Sequence, residues 1–293
     1  MSIQTGNPSS LRSSPAPARP HPIAPGSGRS EFDAATFLKA RAATDDRDVY
    51  VEWTGSIYAM LPDQTQCHLF DIVGMNVARG VNNGDGSWSL VSRELTYYLD
   101  PDTGAVLHSW DNPWTGETVP VVHVANDPVQ SRLTGTFGAT LAGDAVIFTC
   151  DVFPAYPNPL GNDPRFQDYS PSPHYSAAEF FKLTVPLSEL TNPELAAVET
   201  MTVAWHRIGP WLPWMKMGDR SGQLVYSACG QRVAGFEALP PLLQTEIRDR
   251  LPKYRHAPDH HSTQKNMTSW RYFKEHFEAY LRGEMFPLPE LAV

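Results

Sequence analysis

The sequence predicts a mainly β domain whose antiparallel sheet curls or closes, with helices confined to its ends. Three observations carry that prediction. Long stretches alternate apolar and polar residues with a period of two, and short turns rich in Asn, Asp, Pro and Gly separate them. The 27 Pro and 20 Gly among 293 residues leave little room for long helices. The length is twice the ~150 residues typical of one domain. The chain is nonetheless read as a Pro- and Ser-rich leader over residues 1–30 and a single β-rich domain over 31–293. The leader has six Pro and no aromatic residue, a composition that predicts disorder because it cannot bury enough surface to offset its ordering entropy.

A short helix is expected first, over residues 30–43, with Phe32, Ala35, Phe37, Leu38 and Ala42 at near-helical spacing and Ser30 as N-cap. Past Asp45 the period changes to two, and Val49, Val51 and Trp53 begin a strand that continues through Gly55 towards Met60. A glycine inside a strand marks a bulge or a close approach of backbone. Strands follow at 68–79, 88–99, 106–110 and 119–125, joined by turns such as Asn83-Gly84-Asp85-Gly86 and Asn112-Pro113-Trp114-Thr115-Gly116. Turns this tight allow only antiparallel neighbours. Further strands are expected at 136–141, 145–153, 179–185, 200–208 and 223–233, and amphipathic helices at 240–250 and 269–282. Nine or ten antiparallel strands must curl, split or close, so the expected architecture is a barrel or strongly curved sheet, lipocalin-like in general architecture, with C-terminal helices and a ligand cavity inside. The polar, Pro-rich stretch 154–173 is too long for an ordinary connection and is expected to be a lid over the cavity mouth.

Several function classes are excluded by composition. The formal net charge of −9 with no basic run argues against nucleic acid as a partner. No stretch reaches the ~20 apolar residues of a membrane span, and the first residues lack the apolar core of a secretory signal, so a cytoplasmic location is expected. Cys67, Cys150 and Cys229 are too far apart for a thiolate zinc site or a disulfide framework and fit a reducing compartment. Nucleotide-binding glycine loops, the Gly-x-Ser-x-Gly elbow and His-Glu-x-x-His are all missing, so no cofactor is expected. His256, His260 and His261 have zinc-like spacing but lie in a Pro-interrupted tract, and no metal is assigned to them.

Two segments concentrate chemistry. In the first, Trp110 and Trp114 flank an Asn-Pro turn, and His123 follows on an apolar strand with Asn126 and Asp127 just past its end. His123 is a candidate base or acid and Asp127 its orienter; the plain alternative is a core histidine bonded to backbone. The second runs from Trp205 to Gly218, where Trp205, Trp211, Trp214 and Met215 sit on Pro-broken backbone that either lines a pocket or plugs a barrel end. His206, Arg207 and Lys216 are candidate electrophilic partners, Tyr98 a further acid, and Arg79, with Asn126, a binding residue.

The motifs Trp53-x-Gly55-x-x-Tyr58, Asn112-Pro-Trp-Thr-Gly-Glu117, His123-Val-Ala-Asn-Asp-Pro-Val129 and Pro210-Trp-Leu-Pro-Trp-Met-x-Met-Gly218 resemble the DUF1838 family. The resemblance spans nearly everything after residue 45 and implies one domain; it brings no catalytic assignment. The expected function is a cofactor-independent enzyme that acts by acid/base proton transfer on a hydrophobic cyclic or aromatic small molecule, as an isomerase, lyase, cyclase or hydratase. The alternative is a non-catalytic carrier of such a molecule. A homo-oligomer is compatible with either.

Overall fold

A computed structural model describes residues 27–62 and 64–290. The first 26 residues of the expected leader lie outside the described residues. The described chain begins with β1 (Ser27–Asp33) and α1 (Ala34–Arg41). A first meander follows: β2 (Val49–Met60), β3 (Cys67–Asn82), β4 (Trp88–Leu99) and, after the short pair β5 (Ser109–Asp111) and β6 (Thr118–Pro120), β7 (Val124–Leu133). Next come β8 (Thr136–Ala142), β9 (Ala145–Val152), the small ribbon β10 (Ala155–Pro157) with β11 (His174–Ser176), and β12 (Ala178–Pro186). A single turn, α2 (Leu187–Leu190), leads to β13 (Thr202–Gly209) and β14 (Gln223–Val233). The end of the chain carries α3 (Pro241–Asp249), α4 (Ser269–Glu275) and α5 (Phe277–Leu281).

Ten strands form one antiparallel sheet in the order β1-β8-β9-β12-β13-β14-β2-β3-β4-β7. The pairing of β14 with β2 joins two meanders, and the sheet curls into a half-barrel with β1 and β7 as edges instead of closing. No helix among the described residues is long and apolar enough to cross a membrane.

Two expectations about elements are corrected. Residues 27–33 are extended and pair with β8, so the helix starts four residues later than expected, capped by Asp33, whose carboxylate accepts from the Thr36 amide at 2.7 Å. Local spacing suggested a helix, but strand pairing supplies a backbone partner for each of these residues. The strand expected over 119–125 is interrupted: β6 ends at Pro120, residues 121–123 are irregular, and β7 begins at Val124 and runs through Asn126, Asp127 and Pro128. A proline is tolerated there because β7 is an edge strand. Its free edge is covered by residues 262–267: the Asn266 side chain accepts from Gln130 N (2.9 Å) and donates to Gln130 O (2.9 Å), and Met267 N donates to Pro128 O (2.9 Å).

The two faces of the sheet are packed differently. On the convex face of the first meander, Tyr97 Oη donates to Glu246 Oε2 at 2.9 Å, Arg93 donates to His256 O at 2.6 Å, and Arg79 pairs with Asp48 (3.0 Å) and Asp259 (2.8 Å). The C-terminal segment is thereby bound to the outside. On the concave face α1 fills one end, with Phe37 stacked on Phe137 at 4.1 Å. Its C-terminal carbonyls, which no helical amide satisfies, accept from the Arg232 guanidinium: Lys39 O (3.3 Å), Ala40 O (3.0 Å) and Ala42 O (3.3 Å).

The junction of the meanders depends on Gly55. A Cβ there would meet Ser227 O at 2.4 Å and Ala228 Cβ at 2.5 Å, so only glycine lets β2 and β14 approach this closely. Gly55→Ala is expected to lower unfolding stability by about 1–3 kcal/mol, the usual effect of overpacking, in urea titration. An unchanged midpoint would show that the strands separate freely.

Candidate functional site

The curl partly encloses a cavity of about 120 Å³. Strand alternation decides what lines it. From β4 the inward residues are Glu94, Thr96 and Tyr98, and from the neighbouring β7, Val124 and Asn126. The facing wall presents Glu179 and Phe181 from β12, Trp205 and Arg207 from β13, and Tyr226 from β14. Tyr156, Tyr175 and Trp270 close the front.

Cross-strand register places each of the half-buried carboxyls, Glu94 and Glu179, beside a polar partner. Glu179 lies opposite Arg207, with Arg207 Nε 3.7 Å from Glu179 Oε1. Glu94 lies opposite Asn126, whose Nδ2 donates to Glu94 Oε2 at 3.0 Å. Arg207 is 7% exposed; its Nη2 donates to Tyr175 Oη at 2.8 Å and its Cζ stands 4.9 Å over the Tyr226 ring. Gly209 makes room for this guanidinium, because a Cβ at that position would lie 2.7 Å from Arg207 Nη2. The Tyr98 hydroxyl donates to that of Tyr226.

These surroundings shift the titrating groups. Burial raises the Glu179 carboxyl above its ordinary value; Arg207 opposes the rise and the negative charge of Glu94 adds to it. The Trp205 indole N–H favours the Glu179 carboxylate slightly, at a geometry short of a full hydrogen bond. Burial also pushes Tyr226 up to about 12 and Tyr98 well above the usual phenol range, so both are hydrogen-bond donors at neutral pH. For Arg207 burial works against the charge, but Tyr175, Tyr226 and Glu179 outweigh it, and the pKa lies above the ordinary guanidinium value. The cavity therefore holds a stable cation beside a carboxyl that changes protonation more easily than a surface glutamate.

Of the residues that sequence reasoning singled out, Tyr98, Asn126, Trp205 and Arg207 line the cavity. His206 does not: it falls between Trp205 and Arg207, so the pleat turns it outward, and it is exposed. The expected His123–Asp127 pair is not formed either. His123 Nδ1 accepts the Tyr98 amide N–H at 3.1 Å, and its ring packs 4.8 Å from that of Tyr97 and 5.7 Å from that of Tyr98, behind the cavity wall and not on it. The Asp127 carboxylate is bound by Arg93 Nε (3.1 Å) and Lys253 Nζ (3.2 Å). Arg79 is engaged in its convex-face ion pairs, and Lys216 pairs with Glu117 at 2.5 Å.

The other tryptophans build the plug. Trp214 is buried against Tyr98 (5.6 Å), Phe70 (5.7 Å) and Trp110 (6.0 Å), while Trp114 meets Trp211 at 5.4 Å. Asn112 Nδ2 donates to Met215 O at 2.8 Å, and this bond docks the Asn-Pro-Trp turn onto the second tryptophan segment. Of that segment Trp205, Arg207 and Leu212 reach the cavity, so most of it seals the end and a smaller part lines the pocket. His256 pairs with Asp48 at 2.8 Å, and His260 and His261 are exposed.

The stretch 154–173, expected to move as a lid, is tied down. Asn158 Nδ2 donates to Ser170 O (3.1 Å) and Ser172 O (2.7 Å), Trp270 Nε1 donates to Ser170 Oγ (3.0 Å), and Phe166 packs on Phe277 at 4.6 Å. The loop anchors Tyr156 and Tyr175, at its two ends, against the cavity.

Glu94, Glu179, Tyr175 and Tyr226 were missed by sequence reasoning. A signal for the two glutamates exists in phase: Glu94 shares its strand face with Thr96 and Tyr98, and Glu179 with Phe181 and Leu183. A carboxylate in register with core residues points inward.

The position of His123 has a measurable consequence. Burial, followed by repulsion from His108, depresses its pKa from 6.5 to about 3. The unfolded chain therefore binds the proton first, and stability contributed by the neutral ring is present above about pH 6.5 and lost as pH falls towards 3. Between pH 6.5 and about 5, stability should fall by up to ~1.4 kcal/mol per pH unit, and His123→Gln should flatten that slope. Equal slopes in urea titrations of the two proteins would show that His123 is solvated.

Residues 46–277 match the family model described as protein of unknown function (DUF1838). No curated protein matches the sequence. The match covers well over half of the chain, including every cavity-lining strand, and the protein belongs to the DUF1838 family.

Proposed function

We propose that the protein is an enzyme that transfers protons to and from a hydrophobic cyclic small molecule, with Glu179 as the principal base. One observation supports this above all others: two carboxyls, Glu94 and Glu179, converge with Arg207 on one apolar cavity, and burial raises the pKa of Glu179. A carrier needs no titrating group inside its pocket. Taking two carboxyls out of water lowers stability unless each is fully paired, and Glu179 is not, whereas acid/base catalysis requires a group whose pKa approaches the working pH.

The chemistry follows from the placement. The Glu179 carboxylate removes a proton from carbon next to a ring carbonyl, and the C–H electron pair moves to the carbonyl oxygen as an enolate. That oxygen receives hydrogen bonds from Arg207 and from the Tyr226 hydroxyl, which accepts from Tyr98 and keeps its own proton for the ligand. In a ring with a β,γ double bond the enolate extends over that bond, and Glu179 returns its proton to the γ-carbon, which yields the conjugated isomer and restores the Glu179 carboxylate, with Glu94 unchanged. Trp53, Phe181 and Trp205 give the flat apolar walls that a ring would stack on. The three cysteines are unpaired, which supports a reducing, cytoplasmic setting.

Proton transfer can be read without knowing the natural substrate. In D₂O the protein should speed deuterium incorporation next to the carbonyl of α-tetralone, followed by NMR. Glu179→Gln should reduce that rate about 10²–10⁴-fold while near-UV circular dichroism stays unchanged. Exchange no faster than in buffer, or undiminished in Glu179→Gln, would contradict the assignment.

A further inference from the structure

We propose that the ring this site takes carries two oxygen functions on opposite edges: a carbonyl seated on Arg207 Nη1 and a hydroxyl that donates to Asn126 Oδ1. The inference rests on reading the cavity as a proton-transfer site and names the class of its substrate, an uncharged hydroxylated cyclic ketone.

Two buried polar atoms carry it. Arg207 uses Nη2 for Tyr175 and turns Nε towards Glu179, but its Nη1 has no hydrogen-bond partner. Asn126 uses Nδ2 for Glu94, but its Oδ1 has no partner either. Both residues are 7% exposed and both line the cavity. An orphaned buried donor or acceptor is unfavourable, and such atoms are rare unless something outside the chain satisfies them. The first atom is a donor and asks for a ligand acceptor; the second is an acceptor and asks for a ligand donor. Asn126 could be turned over to offer its amide to the cavity only by setting its oxygen against the Glu94 carboxylate, which accepts from Nδ2 as it stands.

The placement of the two atoms sets the shape of the ligand. Arg207 belongs to β13 and Asn126 to β7, five strands apart in the sheet, and the curl brings them to one cavity. Their partners sit on facing walls, so the two oxygens of the ligand must lie across the ring and not side by side. Charge decides between a ketone and a carboxylate as acceptor. The half-buried carboxyls Glu94 and Glu179 are matched by the buried guanidiniums Arg207 and Arg41, the latter electrostatically coupled to Glu94. An anionic ligand would add an unmatched charge.

Four probes separate the parts: tetralin, α-tetralone, the hydroxytetralone with its hydroxyl across the bicycle from the carbonyl, and the methyl ether of that hydroxytetralone. Binding is followed by quenching of tryptophan fluorescence, since Trp53, Trp205 and Trp270 line the cavity. Affinity should rise about tenfold from tetralin to α-tetralone and about tenfold again to the hydroxytetralone, as expected for one hydrogen bond each. The methyl ether should lose the second step. In Asn126→Leu the hydroxytetralone and its ether should bind alike, and in Arg207→Lys the step due to the carbonyl should shrink, with circular dichroism confirming both folds. Equal affinities across the four probes, no binding by any of them, or a hydroxyl preference that survives Asn126→Leu would overturn the inference. Ranked binding without deuterium exchange would leave this recognition standing and remove the catalytic reading. Exchange that proceeds equally well without the hydroxyl would do the reverse.

Discussion

The curl of the sheet is the constraint on which the rest depends. In a flat sheet, β4 and β12 would be separated by four other strands, and at roughly 4.8 Å per strand their side chains could not meet. Curled, the same strands become facing walls, and Glu94 on one comes close enough for its charge to raise the pKa of Glu179 on the other. Everything that shapes the curl therefore shapes the site. Gly55 lets the two meanders join, α1 fills one end of the concavity, and the C-terminal segment braces the convex face through Tyr97, Arg93 and Arg79.

Within that frame the cavity resolves an energetic conflict. Two carboxyls and a guanidinium away from water are unfavourable unless each finds compensation. Glu94 takes it from Asn126, and Arg207 from Tyr175 and the face of Tyr226. Compensation for Glu179 is incomplete, since its closest charged contact is 3.7 Å away and its pKa stays raised. This residual imbalance distinguishes the inside of the curl from the ion pairs on its outside. There, Asp127 has both Arg93 and Lys253 within 3.2 Å.

Much of the fold was legible in the sequence, because strands announce themselves locally through period and turns. β2, β4, β9, β12 and β14 fall where alternation put them, and the aromatic face of the last helical stretch, with Trp270, Phe273 and Phe277, is buried. What failed was decided by partners distant in sequence. Residues 27–33 form a strand only because β8 is there to pair with, and Pro128 stays in β7 only because that strand is an edge. The site was half legible for the same reason. Arg207, Asn126, Tyr98 and Trp205 stood out by type or by company, whereas His123 drew attention as a familiar catalytic residue and proved to be a buried, backbone-bonded one. Glu94 and Glu179 look like ordinary strand glutamates until the phase of their strands is known, and their convergence exists only in three dimensions.

The central claim is that the curl forces Glu179 into electrostatic contact with Glu94 in an apolar cavity. Carboxyl-carbon NMR of glutamate-labelled protein tests it directly, with the Glu179 signal assigned by its loss in Glu179→Gln. The account predicts that this signal titrates above the ordinary 4.5 and moves to lower pH in Glu94→Gln. A Glu179 carboxyl that titrates at or below 4.5, or that ignores Glu94→Gln, would contradict it.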